Sequence, residues 1–482
     1  MNNLLPNFRQ HPYIIFWATI FFTATSVSII FQFIVLPYFL PWMHAGNGLI
    51  SGYDWIGFHQ DSVEIAKQIK HEGWSSWQLQ PAPYGVVSAI YALTVSEPYM
   101  IIPLNAVLHA TAGIILMYIA RFLTNDDFTA MCAALPFVLF PSSMAWYTQI
   151  HKESFFIAGL FLSLYGWIVI ARLETWKGRL FLPLLSICWI FFGSLLIWLV
   201  RPYGVKLMQG IGVIFAIVLL PLFLRRGIQR WLDLPQVLLA MLVILTLPIA
   251  LGIFKGKVVD VDLPPPSAIE STAHQSSSPR LPKKKNMDPE VVSSDLTGVS
   301  GFAERANRYG DRIRWQPVNW LPGAIDDLFF TLSVTRIAYA DSKGASNIDS
   351  DIILSSVSDF FVYLPRALQI GFLAPFPKIW IENGSTETNT LVRRIAGAEM
   401  TVVYLTLLFL PYALWLHRKK LETWMIFSFC TILLLIYSYT MPNIGTLYRT
   451  RYGFLMPLVG IGVIGGITAW KNFRNTLSIS SK

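Results

Sequence analysis

The sequence predicts an all-α polytopic membrane protein with about ten transmembrane helices and two long periplasmic loops. Hydrophobic residues make up 54% of the 482 residues and charged residues only 13%, whereas soluble domains average about 25% charged residues. The mean hydropathy of +0.51 points the same way. This composition excludes an ordinary soluble enzyme, a disordered chain and a disulfide scaffold.

The net charge of +9 does not indicate nucleic-acid binding. Most basic residues fall in short turns between apolar runs, where they orient a membrane chain. The cysteines Cys132, Cys188 and Cys430 lie inside apolar segments and have neither metal-ligand spacing nor a paired framework. We therefore expect no partner nucleic acid and no structural metal site.

A membrane-spanning helix needs about 20 mostly apolar residues. Ten stretches qualify, at 13–37, 99–120, 128–147, 154–171, 180–199, 205–224, 235–254, 398–416, 422–440 and 452–470. The first stretch is too long for a signal peptide and lacks a small-residue cleavage site, so we interpret it as a retained helix. The third is the least regular, because Pro136 and Pro141 interrupt it.

Lys and Arg are distributed unequally between the two sets of short connections, and the positive-inside rule then predicts that both termini are cytoplasmic. The few basic residues on the opposite side are Lys152, Arg201, Arg449 and Arg451. An even number of spans agrees with this orientation. The expected location is the bacterial inner membrane.

The helices and loops divide the chain into three parts. These are an N-terminal module of seven helices at 1–254, which includes the first periplasmic loop at 38–98, a large periplasmic loop at 255–397, and a C-terminal module of three helices at 398–482. Within the large loop, 260–300 is rich in Pro, Ser and Lys and is predicted to be disordered.

The segment 361–381 is apolar but contains three prolines. A full span there would move the basic cluster Arg418–Lys420 to the outside, against the positive-inside rule. We therefore predict an interfacial or re-entrant element, which is tolerated at membrane depth only when protein or water covers its backbone.

The first periplasmic loop contains Asp54, His59 and Asp61 just beyond the first helix. The run 61–70 has the spacing of a short amphipathic helix. A carboxylate near the membrane surface can act as a general base on an acceptor hydroxyl, or can hold a divalent cation that binds phosphate. Alternatively, Asp61 only caps the N-terminus of this helix.

Three arginines stand on the side that the positive-inside rule disfavours, namely Arg201, Arg449 and Arg451. Guanidinium groups suit bidentate binding of phosphate or pyrophosphate, so we predict that they bind an anionic substrate group. The alternative is a contact with lipid headgroups.

The first loop also carries a sequence pattern, DxxxxAxxIxxxGW beginning at Asp61, followed by a second helix that starts near a proline. This arrangement resembles the GT-C superfamily, integral membrane glycosyltransferases that use polyprenyl-phosphate-linked sugars, as the dolichyl-phosphate-mannose protein mannosyltransferases do. The resemblance implies a catalytic acidic residue in the first loop, here Asp61 or Asp54. The usual aromatic four residues after the acid is Ile65 after Asp61 but Phe58 after Asp54, so the choice stays open.

Two later elements are similar to the superfamily. Glu153 matches an acidic residue at the start of the fourth helix, which makes it a further candidate catalytic residue, and with Lys152 beside it this pair would bind a lipid phosphate and a sugar. The alternative is interfacial anchoring with an acidic first turn favoured by the helix dipole. Arg451, Tyr452 and Pro457 match a late Arg-Tyr-x-x-x-x-Pro element, although Thr450 stands where relatives often have Glu.

The resemblance implies transfer of a sugar from a polyprenyl-phosphate-linked donor to a glycan or lipid acceptor on the periplasmic face, in the synthesis of cell-envelope polysaccharide or glycoconjugate. The sequence contains no P-loop, dinucleotide-binding motif, zinc spacing or hydrolase elbow. Alternatives are an O-antigen-type polymerase or ligase and, third, a transporter of a lipid-linked sugar. The cofactor stays open, a divalent cation being one option.

Overall fold

The computed structural model describes residues 12–51, 54–79, 83–172, 181–225, 309, 312–341, 346–384 and 386–480. The predicted seventh span at 235–254 and the predicted disordered segment at 260–300 lie outside the described residues.

Regular secondary structure within the described residues is helical, with three isolated β-bridges besides. The helices are α1 Pro12–Ile30, α2 Trp55–Glu72, α3 Tyr84–Leu93, α4 Ile102–Thr124, α5 Asp127–Leu139, α6 Pro141–Thr148, α7 Glu153–Ala171, α8 Phe181–Val200, α9 Pro202–Arg225, α10 Gly323–Asp341, α11 Val357–Leu373, α12 Pro377–Ile381, α13 Glu387–Leu408, α14 Leu410–Leu416, α15 Leu421–Thr440, α16 Ile444–Thr450 and α17 Tyr452–Ser480. A π-helical stretch, Phe31–Phe39, continues α1.

Seven helical segments of the described chain are long and apolar enough to cross a membrane, or eight if a bent pair forms one span. The predicted spans other than 235–254 fall on described helices, although 128–147 is a bent pair of helices and the helix at 180–199 is not among the seven. The polytopic helical fold is therefore confirmed, whereas the full number of ten crossings stays a prediction.

The bent pair consists of α5 and α6, which meet at 66°. Phe140 is extended between them, and Pro141 opens α6. A proline at the first position of a helix has no N–H to donate and cannot continue the preceding helix. The break lies within 128–147, the least regular of the predicted spans.

Helix α7 is the centre of the bundle, and all of its residues except Tyr165 are buried. It packs on α8 through small residues: a Cβ added at Gly159 would lie 2.6 Å from the carbonyl oxygen of Gly193, and one added at Gly166 would lie 2.8 Å from that of Ser186. Small residues let two membrane helices approach closely. This seam places the first residue of α7, Glu153, beside the end of α8.

The directions of the helices place the two predicted sets of connections at opposite ends of the bundle. We call the end with Arg121, Arg172 and Arg418–Lys420 the basic end, where Arg172 Nε lies 3.0 Å from a carboxylate oxygen of Glu422. The opposite end, which we call the site end, contains the described parts of 40–98, together with 149–152 and 441–451.

Helices α10 and α11 pack against α15 near the site end. Helix α11 has 17 residues, about 25 Å at 1.5 Å per residue, which is shorter than the roughly 30 Å hydrocarbon core. It ends before Ala374, and the short α12 follows. The predicted element at 361–381 is thus two helices, and its place at the membrane surface stays a prediction.

Candidate functional site

The connection between α6 and α7 is buried and held by side-chain amides. Gln149 donates from Nε2 to the Gly48 carbonyl at 3.1 Å and accepts the Ile50 N–H at 3.2 Å. Asn105 donates to the Gln149 carbonyl at 2.8 Å. Gly48 has a φ of +74°, and a Cβ there would lie 2.8 Å from Gln32 Cβ, so this close approach requires glycine. The first loop therefore fixes the segment that carries Lys152 and Glu153.

Glu153 is 1% exposed and forms the centre of the site. Its Oε1 accepts a hydrogen bond from Arg201 Nη2 at 2.7 Å, and Arg449 Nε lies 3.6 Å from the same oxygen. Its Oε2 contacts His151 Nδ1. A buried carboxylate is stable only when it is paired and hydrogen-bonded, and here cations from two distant segments provide the pairing.

Arg449 connects this buried group to the surface. Its Nη2 lies 3.4 Å from Asp54 Oδ2, and the Asp54 side chain is 60% exposed. Lys152 Nζ lies 5.1 Å from the centre of the Phe58 ring, above its face, as in a cation–π contact. The cluster of Asp54, Lys152, Glu153, Arg201 and Arg449, which we call the arginine site, has three cations and two carboxylates.

Several donors in and beside the arginine site are unused. Arg201 Nη1, Arg449 Nε and His151 Nε2 are buried and have no hydrogen-bond partner among the described residues. Unpartnered buried donors are costly, and an anion bound beside the two guanidinium groups would satisfy theirs. Together with the surplus positive charge, they make this cluster a candidate anion-binding site.

Burial shapes the protonation of the neighbouring groups. Burial lowers the pKa of His151 below its usual value, although Glu153 opposes this shift. Burial, followed by repulsion from Arg201, lowers the pKa of Lys152. His151 is therefore neutral at pH 7, and the positive charge of the site rests on Lys152 and the two arginines.

Asp61 lies two turns beyond Asp54 on α2, so both carboxylates face the same direction. Partial desolvation raises the pKa of Asp61, and no ion pair to it exists among the described residues. The pKa of Tyr84 is raised to about 12 by burial and by the nearby Asp61 and Asp54. The alternative of Asp61 as a helix cap is wrong, because α2 begins at Trp55 and Asp61 lies inside it.

The structure places three other predicted site residues away from the arginine site. His59 Nδ1 is hydrogen-bonded to Tyr91 of α3 at 2.9 Å. Arg451 is fully buried, and its guanidinium donates to the carbonyls of Ile370 and Gly371 at 3.0 and 2.5 Å and to that of Ala374. Tyr452 donates to the Phe137 carbonyl at 2.8 Å.

The two late arginines therefore have different surroundings. Arg451 donates from its Nη atoms to carbonyls at the end of α11, as expected for a cation at a helix C-terminus. Only Arg449 of the two reaches Glu153 and Asp54.

Glu399, which no sequence pattern singled out, is 4% exposed inside the long helix α13. Its carboxylate accepts the Ser142 N–H at 2.6 Å and the Tyr448 hydroxyl. An ionisable residue within a membrane helix is a signal of function, but its position at the edge of a predicted span hid it.

No group of three or more His, Cys, Asp and Glu able to hold a metal ion occurs in the described ranges. Of the carboxylates at the site end, Glu153 and Asp54 already pair with arginine. No family model, curated protein or solved structure matches the chain.

Proposed function

We propose that this membrane protein is a glycosyltransferase that moves a sugar from a polyprenyl-phosphate-linked donor to a glycan or lipid acceptor at the periplasmic face of the bacterial inner membrane. The observation that carries the proposal is the arginine site: Arg201 and Arg449 surround the buried Glu153 and keep unused donors. A lipid-linked phosphate reaches such a site from the membrane.

In the proposed reaction, the acceptor hydroxyl oxygen attacks the anomeric carbon and the bond from that carbon to the phosphate oxygen breaks. The hydroxyl proton passes to a carboxylate, and the polyprenyl phosphate leaves with the bonding electrons. Arg201, Arg449 and Lys152 would neutralise the charge that develops on this leaving group, which is the main electrostatic task.

Between the two candidate bases we choose Asp61. Asp54 is engaged by Arg449 at 3.4 Å, whereas desolvation raises the pKa of Asp61 toward the working pH. A general base is most effective when its pKa lies near that pH. Asp54 would then orient Arg449 and take no proton.

The substitution Asp61→Asn tests this proposal. We expect sugar transfer in membranes that contain the variant to fall about 10²–10⁴-fold, the usual contribution of a general base. The matched control is Glu64→Gln, an exposed carboxylate one turn further along the same helix. A small effect of Asp61→Asn would instead favour an O-antigen-type polymerase or ligase, or a transporter, which need no acid in this loop.

A further inference from the structure

Glu399 is a buried carboxylate with two hydrogen-bond partners on two different helices. It lies on α13 and has no lysine, arginine or histidine within ion-pair distance among the described residues. Its Oε1 accepts the N–H of Ser142, and its Oε2 accepts the hydroxyl of Tyr448. A charged group is expensive within a membrane, so these two contacts call for an explanation.

The first partner belongs to the broken span. Ser142 is the second residue of α6, and Phe140 at the N-cap position supplies no capping side chain. The first N–H groups of a helix need an external acceptor, and a carboxylate suits them. Glu399 therefore caps α6 from a neighbouring helix. The same short helix leads directly into the connection that carries Lys152 and Glu153.

The second partner belongs to the segment that carries Arg449. Tyr448 is the preceding residue on α16. Burial, and then the Glu399 carboxylate, raise the pKa of Tyr448 above its usual value, so the phenol keeps its proton and donates. On the next turn of chain, Arg451 fixes the end of α16 to the carbonyls of α11.

We propose that Glu399 is a positioning residue that sets the separation of Arg449 from Glu153 by tying Tyr448 on α16 to the N-terminus of α6. The role of that separation in anion binding rests on the function proposed above. Without Glu399, α6 loses its cap and Tyr448 loses its hydrogen bond, whereas α16 keeps the Arg451 anchor and the hydrogen bonds of its N-terminus to Ser346 and Asn347. The turn of α16 that carries Arg449 is then held less firmly at its 3.6 Å approach to Glu153.

A distance measurement tests the positioning role without any ligand. Spin labels would be attached at Gly57→Cys on α2, where an added Cβ meets nothing within 4 Å, and at Thr446→Cys on α16. The native cysteines would be replaced beforehand. We expect one narrow distance distribution by pulsed electron paramagnetic resonance in the parent, and a broadened or shifted one in Glu399→Ala and Tyr448→Phe.

The matched control is Thr386→Ala, which removes the N-cap of the same helix α13 without touching α16, and we expect it to leave the distribution unchanged. Glu399→Gln should have a smaller effect than Glu399→Ala, since its side-chain oxygen still accepts the Ser142 N–H. This milder variant, and Tyr448→Phe, keep the test valid if Glu399→Ala does not fold. A distance distribution that is unchanged in both Glu399→Gln and Tyr448→Phe would overturn the proposal.

A binding measurement then connects position to function. Farnesyl phosphate in detergent serves as the probe, and we expect Tyr448→Phe to weaken its binding about tenfold, as for loss of one charge-assisted contact. If the parent does not bind farnesyl phosphate, the proposed function fails, while the distance measurement still decides the role of Glu399. Unchanged affinity in a variant whose distances have shifted would overturn the connection to Arg449.

Discussion

Arg449 and Arg451 are two residues apart and face different surroundings. Arg449 lies 24% exposed between a buried and an exposed carboxylate, whereas Arg451 is buried among backbone carbonyls. Both Nη atoms of Arg451 donate to carbonyls, and its buried Nε has no hydrogen-bond partner among the described residues. The two residues therefore form a matched pair of substitutions, Arg449 for the proposed anion binding and Arg451 for stability.

We expect Arg449→Ala to weaken farnesyl phosphate binding about tenfold to a hundredfold, because a charge-assisted contact contributes about 1.5–3 kcal/mol. Lysine at this position should restore only part of the affinity, since an ammonium cannot make the paired fork contact. Calorimetry on the purified proteins measures the affinity of Arg449→Ala and that of Arg449→Lys for farnesyl phosphate. Full affinity of Arg449→Ala would remove Arg449 from the anion site.

For Arg451→Ala we expect the opposite pattern: a loss of about 2–4 kcal/mol in stability, because several buried carbonyls lose their donor, with little change in the affinity of the folded fraction. Thermal unfolding in detergent measures the stability. A variant with unchanged unfolding but lost binding would contradict the capping role.

His151 gives a prediction for pH. Its pKa is lowered in the folded state, so its contribution to stability is present above about pH 6.5, the unfolded value, and is lost as the pH falls towards the folded value. The charged groups that face it are Glu153, Arg201 and Arg449. We expect the unfolding temperature to fall between pH 7.5 and 5, and less so in His151→Asn.

Sequence reasoning found the individual members of the arginine site because they break local rules: Arg201 and Arg449 stand where basic residues are disfavoured, and Glu153 opens an apolar helix. It could not separate Arg449 from Arg451, since both lie in one short loop. Nor could it find Glu399 and Gln149, whose importance depends on partners far along the chain.

At the scale of the elements, the α7–α8 seam determines where Glu153 and Arg201 meet. Glu153 starts α7, and Arg201 follows the last residue of α8. Any change in the approach of these helices is transmitted to the 2.7 Å ion pair at their end. The seam is thus the structural basis of that pair.

We expect Gly193→Ala to destabilise the bundle by about 1–3 kcal/mol, because the new Cβ would lie 2.6 Å from the Gly159 carbonyl oxygen and overpacking costs that much. Gly210→Ala on α9 is the control, since a Cβ there meets nothing within 4 Å. Thermal unfolding of the two variants in the same detergent compares them. Equal unfolding temperatures would show that the seam tolerates the methyl group.

The helices could be predicted because an apolar run of sufficient length has few alternatives in a membrane. Their ends were less predictable. Helix α2 begins at Trp55, six residues before the predicted start at Asp61, because its first turn is buried against the connection of α6 and α7 and not because of any capping signal. The 66° bend between α5 and α6 was visible only as an irregular span.

For the whole molecule, the distribution of basic residues between the two ends predicts its orientation in the membrane. The basic end carries the cluster at Arg418–Lys420. Lys67 on α2 marks the site end, and 69% of its side chain is exposed. From the positive-inside rule we expect Lys67 to face the periplasm.

Cysteine labelling of intact cells tests this orientation. We expect an impermeant thiol reagent to label Lys67→Cys from outside and Lys419→Cys only after permeabilisation. We also expect the reagent to label Lys284→Cys from outside. Lys284 belongs to the predicted large periplasmic loop and lies outside the described residues. Labelling of Lys67→Cys and Lys419→Cys from the same side of the membrane, whichever side it is, would contradict the arrangement of the helices.

The order of the helices along the chain has a consequence for biogenesis. Glu153 and Arg201 are synthesised early and come from neighbouring helices, so their pair can form as soon as α7 and α8 have been inserted. Arg449 is synthesised much later than Arg201, and α17, which follows it, must still dock on α5 and α7. A newly inserted chain therefore has its carboxylate neutralised before its second arginine arrives, and the arginine site is complete only after the later helices have been inserted.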